Sequence, residues 1–451
     1  MNRVIGMAEQ AAVARPPRES APNRDQSWLK RTFSALGDPN FRLLYVGNIM
    51  QFGSMQMQLV VRGWLVFHLT GSFAALGTMS LANAIPGLIF SPIGGVAADR
   101  LPKKTVIQAA QIFNVVNAAA LAILAAGWFG LSLQFWHLFA SAMLQGGVNS
   151  VMMPSRQSII SDLVGRDRLM NAIGVNSSGQ TLMQLVGPGL AGFLIAVLTP
   201  ASVFWVMAAM YAIAVTFTMR LPSHPLYAMS NAERGTSSRG GRRGSGSFQD
   251  LIEGFRYVAH DPTIRMLIAV NFLIVIVAMP YTMLLPGFVR EVLCREPECT
   301  AQASGVMQGT LQSVQGIGAI AGSMVIAMGA ERGRGKMMLL WGAALGIGVM
   351  AFAASSSFWI TLPIMVLIGA GQAGRMAVGQ VLIQVYSEEQ YRGRVMSVWF
   401  MQFALVQVGT FLIGILAEQV GPQIALGGTA ALLVIAMVLV GVLVPNMRKL
   451  Q

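Results

Sequence analysis

Apolar stretches of about twenty residues alternate along the chain with short polar ones. A helix rises ~1.5 Å per residue, so about twenty apolar residues cross the ~30 Å hydrocarbon layer of a bilayer. Twelve such blocks occur, at 42–69, 74–98, 104–126, 134–160, 169–197, 201–221, 264–289, 303–329, 337–354, 358–386, 395–417 and 423–444. Their apolar residues are not confined to one amphipathic stripe, so the blocks predict helices with apolar surroundings on every side. Pro86, Pro92, Pro188, Pro280 and Pro286 lie inside blocks, which membrane helices tolerate where neighbours re-satisfy the freed backbone. The pattern predicts an all-α membrane protein of twelve transmembrane helices in two six-helix halves. Residues 1–40 are expected to be a disordered cytoplasmic tail, 41–221 the first half, 222–262 a cytoplasmic linker, 263–445 the second half and 446–451 a short tail.

Composition agrees, with 54% of residues hydrophobic and 11% charged, against roughly 25% charged in soluble domains. Residues 1–35 are rich in Pro, Arg and Ser and hold no apolar core of a secretory signal. The net charge of +13 suits nucleic acid in principle, but its placement is topological. Of the 31 Lys and Arg, 27 are assigned to the N-terminal tail, the even-numbered loops and the C-terminus. Arg290 and Arg295 follow span 7, and Arg62 and Arg375 lie within spans. Cytoplasmic loops carry the excess of cations, so both termini are predicted to be cytoplasmic, in a bacterial inner membrane.

The linker holds a Ser-, Arg- and Gly-rich run, Gly235 to Gly246, then Phe248, Leu251, Ile252, Phe255 and Val258 at helical spacing. Ser247 and Asp250 resemble a capping box. This segment reads either as an amphipathic helix on the membrane surface or as an extension of span 7. Both cysteines, Cys294 and Cys299, sit in the loop after span 7, which faces the oxidising side, so a disulfide is expected. Two cysteines alone make no metal site.

The halves echo each other. Gly95, Asp99, Arg100, Lys103 and Lys104 in loop 2–3 answer to Glu331, Arg332, Arg334 and Lys336 in loop 8–9. Arg166, Arg168 and Met170 answer to Arg392, Arg394 and Met396. Parallel six-span repeats are a transporter architecture with the substrate site between the halves. Here the sequence resembles the major facilitator superfamily, whose loop 2–3 signature is Gly-x-x-x-Asp-Arg-x-Gly-Arg-Arg/Lys, with Pro102 in place of a Gly. Within it, the chain is similar to the branch of the enterobactin exporter and macrolide efflux proteins. That likeness rests on Asn40 to Leu44 with Trp64 to Ser72, on Pro154 to Val164 with Leu169 to Ala172, and on Glu253 to Val258. The resemblance implies that Gly95, Asp99, Arg100, Lys103, Lys104, Glu331 and Arg332 hold the halves together on the cytoplasmic side and release them in a rocking cycle. The lysines read equally as topological anchors. Two departures weaken the usual proton route. The span 4 arginine of drug/proton antiporters would fall near Ala142, and the span 5 antiporter motif survives only as Gly187, Pro188, Gly189 and Gly192.

Candidate binding chemistry follows from the charges inside spans. An arginine at a helix centre costs ~2.5–3.5 kcal/mol on insertion scales and rarely faces lipid. Arg62 and Arg375 lie on spans 1 and 10, which line the central cavity in this architecture; snorkelling for Arg62 and a structural partner for Arg375 are the competing readings. No carboxylate lies deep in a span; Asp162 and Glu418 are at edges. A cationic cavity suits carboxylates, phosphates or phenolates. Gln145, Asn149, Asn271, Tyr281 and Gln372 complete the candidate lining, and Asn149 falls near the repeat equivalent of Arg375. His68 reads as an outer-interface residue. No phosphate loop, metal set or paired nucleophile appears, so neither enzyme nor cofactor is expected. The expected partners are a small molecule, lipid and, by family habit, a coupling proton, in a monomer. Three functions follow: an exporter of a siderophore-like anion or drug, working as an antiporter; an importer of an anionic metabolite; or a receptor, lipid-handling protein or scaffold on the same fold.

Overall fold

The computed structural model describes residues 34–222, 226–227, 248–294, 300–328, 333–444, 447–448 and 450, without the side chains of residues 88, 91–100, 129, 166–167, 248–251 and 327. It is all helical. Spans 1 to 6 are Pro39–Thr70, Phe73–Arg100, Lys103–Ala125, Phe135–Leu163, Arg166–Val197 and Pro200–Met219. Spans 7 to 12 are Pro262–Leu293, Ala301–Met328, Arg334–Ala354, Phe358–Tyr386, Arg392–Val420 and Pro422–Leu443. Eight of the twelve are long and apolar enough to cross a membrane on composition alone. Spans 1 and 4 are not among these; they are 32 and 29 residues long but carry buried Asn48, Gln51, Gln58, Arg62, Gln145 and Arg156.

Local chemistry sets the helix ends. Asp38 precedes Pro39 and its carboxylate accepts from the backbone N–H groups of Asn40 and Phe41. Asp261 precedes Pro262 and caps Thr263 and Ile264 in the same way. Each carboxylate meets amides that no helical carbonyl can reach, and proline loses nothing at the first helical position. A 3₁₀ turn, Ser34–Gly37, precedes span 1 and is held by Asn171, whose Oδ1 accepts from the Ala35 N–H at 2.9 Å.

The linker helix, Phe248–His260, is a separate element, because Asp261 has extended backbone and starts span 7 afresh. It packs on the start of span 11. Glu253 pairs with Arg394 at 3.0 Å and the Tyr257 ring stacks on Tyr391 at 4.5 Å. Ile252 and Phe255 stay exposed on its outer side.

Within the first half, spans 2 and 3 both pack on span 4; between the halves, span 2 packs on span 11 and span 5 on span 8. The face at which span 1 starts and span 12 ends is the terminal face; the opposite one is distal. Among the described residues, contacts between the halves run from mid-span to the distal face. A Cβ on Gly192 would lie 2.6 Å from the Gly305 carbonyl oxygen, and one on Gly309 would lie 2.5 Å from that of Pro188. Small residues let the two backbones meet, and the remnant of the antiporter motif thus supplies the span 5–span 8 seam. Polar bonds finish the seal. The Trp64 indole donates to Ser304 Oγ at 3.0 Å, and the Ser80 hydroxyl donates to the Gln407 carbonyl at 3.0 Å. Glu418, at the end of span 11, accepts from the Phe73 and Ala74 N–H groups at 2.7 and 3.2 Å and from Ser72 Oγ. One half therefore caps a helix of the other. Towards the terminal face, Ile173 and Leu182 of span 5 and Ile317, Met324 and Val325 of span 8 are exposed.

A helix cap contributes about 1 kcal/mol, so Glu418→Ala is expected to shift the equilibrium towards distal opening about five-fold. Distance distributions between spin labels on the distal ends of spans 5 and 8 will show a longer population growing; an unchanged distribution would remove this role.

Candidate functional site

A cavity of about 310 Å³ lies between the halves beneath the distal seal. Spans 1, 2 and 4 supply Gln58, Arg62, Ser80, Asn83, Gln145 and Asn149; spans 7 and 11 supply Met283 and Gln407. Arg62 is buried and turned inward, so it does not snorkel. Its Nη2 donates to Gln145 Oε1 at 2.8 Å and Ser141 Oγ at 3.3 Å, and its Nη1 reaches Asn83 Oδ1 at 3.5 Å. Gln145 passes the polarity on, donating from Nε2 to Gln58 Oε1 at 2.6 Å. A guanidinium is donor-only, so every partner presents oxygen. Ser141 and Gln145 of span 4, on either side of Ala142, are thus both bonded by a cation of span 1. Arg62 Nε and Asn149 Oδ1 have no partner.

Arg375 forms a second cluster. It is 3% exposed, and its Nη1 donates to Asn271 Oδ1 and, at 3.4 Å, to Gln402 Oε1. Asn271 Nδ2 donates to Gln402 Oε1 at 3.4 Å. Gln402 opens the second segment of span 11, just past a break at Met401. Gln372 accepts from Gln315 Nε2 at 2.8 Å, and Tyr281 packs edge-on to Phe352. The candidate residues thus separate into Arg62, Gln145 and Asn149 at the cavity, Arg375 with Asn271 in the second half, and Gln372 and Tyr281 in neither group.

A larger groove, about 590 Å³, runs over span 4 between spans 2 and 3. Its lining, including Phe90, Phe113 and Leu144, is apolar throughout and offers nothing to orient a ligand. No group of His, Cys, Asp and Glu among the described residues could hold a metal.

Sequence reasoning missed Arg156. Counted with the cytoplasmic cations, it is 3% exposed inside span 4. Its Nε and Nη2 donate to Asn48 Oδ1 and the Asn48 carbonyl at 2.9 and 3.2 Å, and its guanidinium lies 4.2 Å over the Phe52 ring. Gln58, Asn83, Asn176 and Gln402 were missed too, because neutral amides look the same in sequence whether they bind or pack. In loop 2–3, Lys103 bonds Asp162 at 2.7 Å and Lys104 bonds the Met219 and Leu221 carbonyls at 2.9 and 2.6 Å. All three partners belong to the same half. The side chains of Asp99 and Arg100, and Glu331 and Arg332 altogether, lie outside the described residues, as does Gly95 beyond its helical backbone. Cys294 is disulfide-bonded; Cys299 lies outside the described residues.

Residues 30–451 match the model of the transmembrane secretion effector family. The chain belongs to this family of major facilitator proteins. Such proteins are not enzymes. Among relatives of the secretion effector chain, the staphyloferrin A transporter of Staphylococcus aureus is 23% identical over 84% of this chain and 88% of that protein. The multidrug efflux pump Tap of Mycolicibacterium fortuitum is 24% identical over 49% of this chain and 53% of Tap. The MFS-type transporter YfiS of Bacillus subtilis is matched over 41% of its length, so the chain spans about half or less of these last two. Among solved structures, the nucleoside transporter NupG is 14% identical with a TM-score of 0.69, covering 92% of this chain and all of that one. A peptide transporter POT in complex with sulfate is 13% identical with the same score, covering 91% and 95%. These two establish the fold alone.

Gln145 and Asn149 are one turn apart yet differ in what they hold. Gln145→Leu leaves a buried charge without its shortest acceptor, a loss of about 1.5–3 kcal/mol. Asn149→Leu removes no bond. In thermal melts of purified protein, Gln145→Leu is expected to fall by several degrees and Asn149→Leu to stay near wild type. Equal losses would contradict this reading of the network.

Proposed function

We propose that this secretion effector protein is a secondary transporter that exports a small organic molecule, a siderophore-like anion or a drug, by alternating access. The supporting observation is the cavity at Arg62: it sits between the halves under a distal seal, and its polar lining is rich in hydrogen-bond donors. On the reading that the charge asymmetry puts both termini in the cytoplasm, the distal seal lies on the outer side and the cavity is loaded from the cytoplasm. A buried arginine without a carboxylate favours an anionic or strongly hydrogen-bonding cargo. Similarity to Tap and to macrolide efflux protein A of Streptococcus pyogenes, the latter 26% identical over 30% of this chain and 33% of that one, supports efflux. Proton exchange is the coupling expected from the superfamily. In the outward-facing state, the loop 2–3 and loop 8–9 charges would meet across the terminal face. Among the described contacts, Lys103 and Lys104 bond within their own half.

Import of an anionic metabolite would use the same arginines in reverse, and a receptor or scaffold would move nothing. Flux in vesicles separates all three. Inside-out vesicles holding the purified chain are expected to accumulate catecholate siderophores or macrolides, with an uncoupler abolishing it and Arg62→Gln reducing it about ten-fold. Accumulation in right-side-out vesicles instead would reverse the direction. No flux in either, with correctly folded protein, would leave the non-transporting reading.

A further inference from the structure

Arg156 and Arg375 occupy matching networks in the two halves. Asn48 lies nine residues after Pro39, and Asn271 nine residues after Pro262, each in a helix opened by an Asp-Pro cap. Asn176 lies ten residues after Arg166, and Gln402 ten after Arg392, the paired cations of loops 4–5 and 10–11. On the first side, Arg156 of span 4 donates to Asn48 Oδ1 of span 1, and Asn48 Nδ2 donates to Asn176 Oδ1 of span 5 at 2.7 Å. On the second, Arg375 of span 10 donates to Asn271 Oδ1 of span 7, and Asn271 Nδ2 donates to Gln402 Oε1 of span 11. The spans correspond one for one, and the bonds run in the same direction.

That direction has a chemical result. A donor-only arginine turns the asparagine oxygen towards itself, which turns the asparagine amino group onto the next amide oxygen. The named side-chain oxygens of each relay are consumed, and donors remain. Arg156 Nη1, Arg375 Nε and Gln402 Nε2 are buried with no partner. No salt-bridge carboxylate meets either arginine among the described residues. A buried guanidinium with spare donors and no counter-charge is strongly destabilised unless an anion meets it.

The two arginines are not at equal depth. Arg156 is seven residues from the end of span 4 at Leu163, and Arg375 eleven from the end of span 10 at Tyr386. The difference of four residues is about 6 Å, one helical turn. Arg156 is thus the shallower from the terminal face.

We infer that the Asn48–Arg156–Asn176 relay is a second anion subsite, related to the Arg375 relay by the internal repeat, and that the cargo carries two anionic groups held one by each half. This rests on the anion-transporter reading above. A two-headed anion would bridge the halves and couple binding to their movement.

The test measures thermal stabilisation of the purified full chain by a length series of linear α,ω-dicarboxylates, each against the monocarboxylate of the same length. In wild type, one or more dicarboxylates should bind at least about ten-fold more tightly than the matched monocarboxylates, because the second head group binds at high effective concentration. Arg156→Gln and Arg375→Gln should each abolish that advantage while keeping the monocarboxylate response, which also reports that the variant is folded. If Arg156→Gln does not fold, Arg156→Lys replaces it and should lose most of the advantage, since an ammonium lacks the planar fork. Monocarboxylates and dicarboxylates binding wild type alike, or a dicarboxylate advantage surviving at Arg156→Gln or Arg156→Lys, would overturn the second subsite alone. No response to any carboxylate in wild type would overturn the anion reading with it.

Discussion

A guanidinium carried into a membrane cannot be left dry. Three are buried here, Arg62, Arg156 and Arg375, and amide oxygens rather than carboxylates hold all three. That choice governs much of the interior. Amides take up some of the donors without cancelling the charge, so each site stays positive while its geometry is fixed. A carboxylate partner would neutralise the field that an incoming anion needs. Neutral side chains on spans 1, 2, 4, 5, 7 and 11 are thereby committed to orienting a few cations. Spans 1 and 4, which carry two of them, fail a simple test of apolarity for the same reason.

The closing of the halves follows a different rule. Glycines bring spans 5 and 8 into backbone contact, while spans 1, 2, 8 and 11 exchange a few hydrogen bonds at the distal face. Aromatic rings join them, since Phe67 and Phe73 pack on Gly287 of span 7. A seal of this kind has a modest energy and an exact fit, which suits a joint that opens in each cycle.

The fold was legible because a bilayer imposes length and apolarity on most crossings, and eight of the twelve spans meet both demands on composition alone. The blocks were placed within a few residues; the largest shift, four residues, is at the end of span 7, which runs on to Leu293, and span 1 starts three residues early at the Asp38 cap. Arg62 and Arg375 were legible because charge in a span is rare. Asn271 was named, but not as the acceptor for Arg375. Arg156 was hidden by its position two turns from the helix end, where a cation reads as a topological anchor. The Asp-Pro cap with an asparagine ten residues on, present before both span 1 and span 7, was the signal that could have exposed it. Glu418 was visible as an edge carboxylate, but its partners are backbone N–H groups of another half, which no side-chain pattern encodes.

The shared cap has a consequence for span 2. Its first amides have no carbonyl of their own helix to meet, and the acceptor they use is borrowed from span 11. When the halves part, the Phe73 and Ala74 N–H groups pass from a carboxylate to water. The amide protons at these two positions therefore record the state of the joint. Their rate of exchange with solvent is a clock for distal opening, built into the backbone and needing no label.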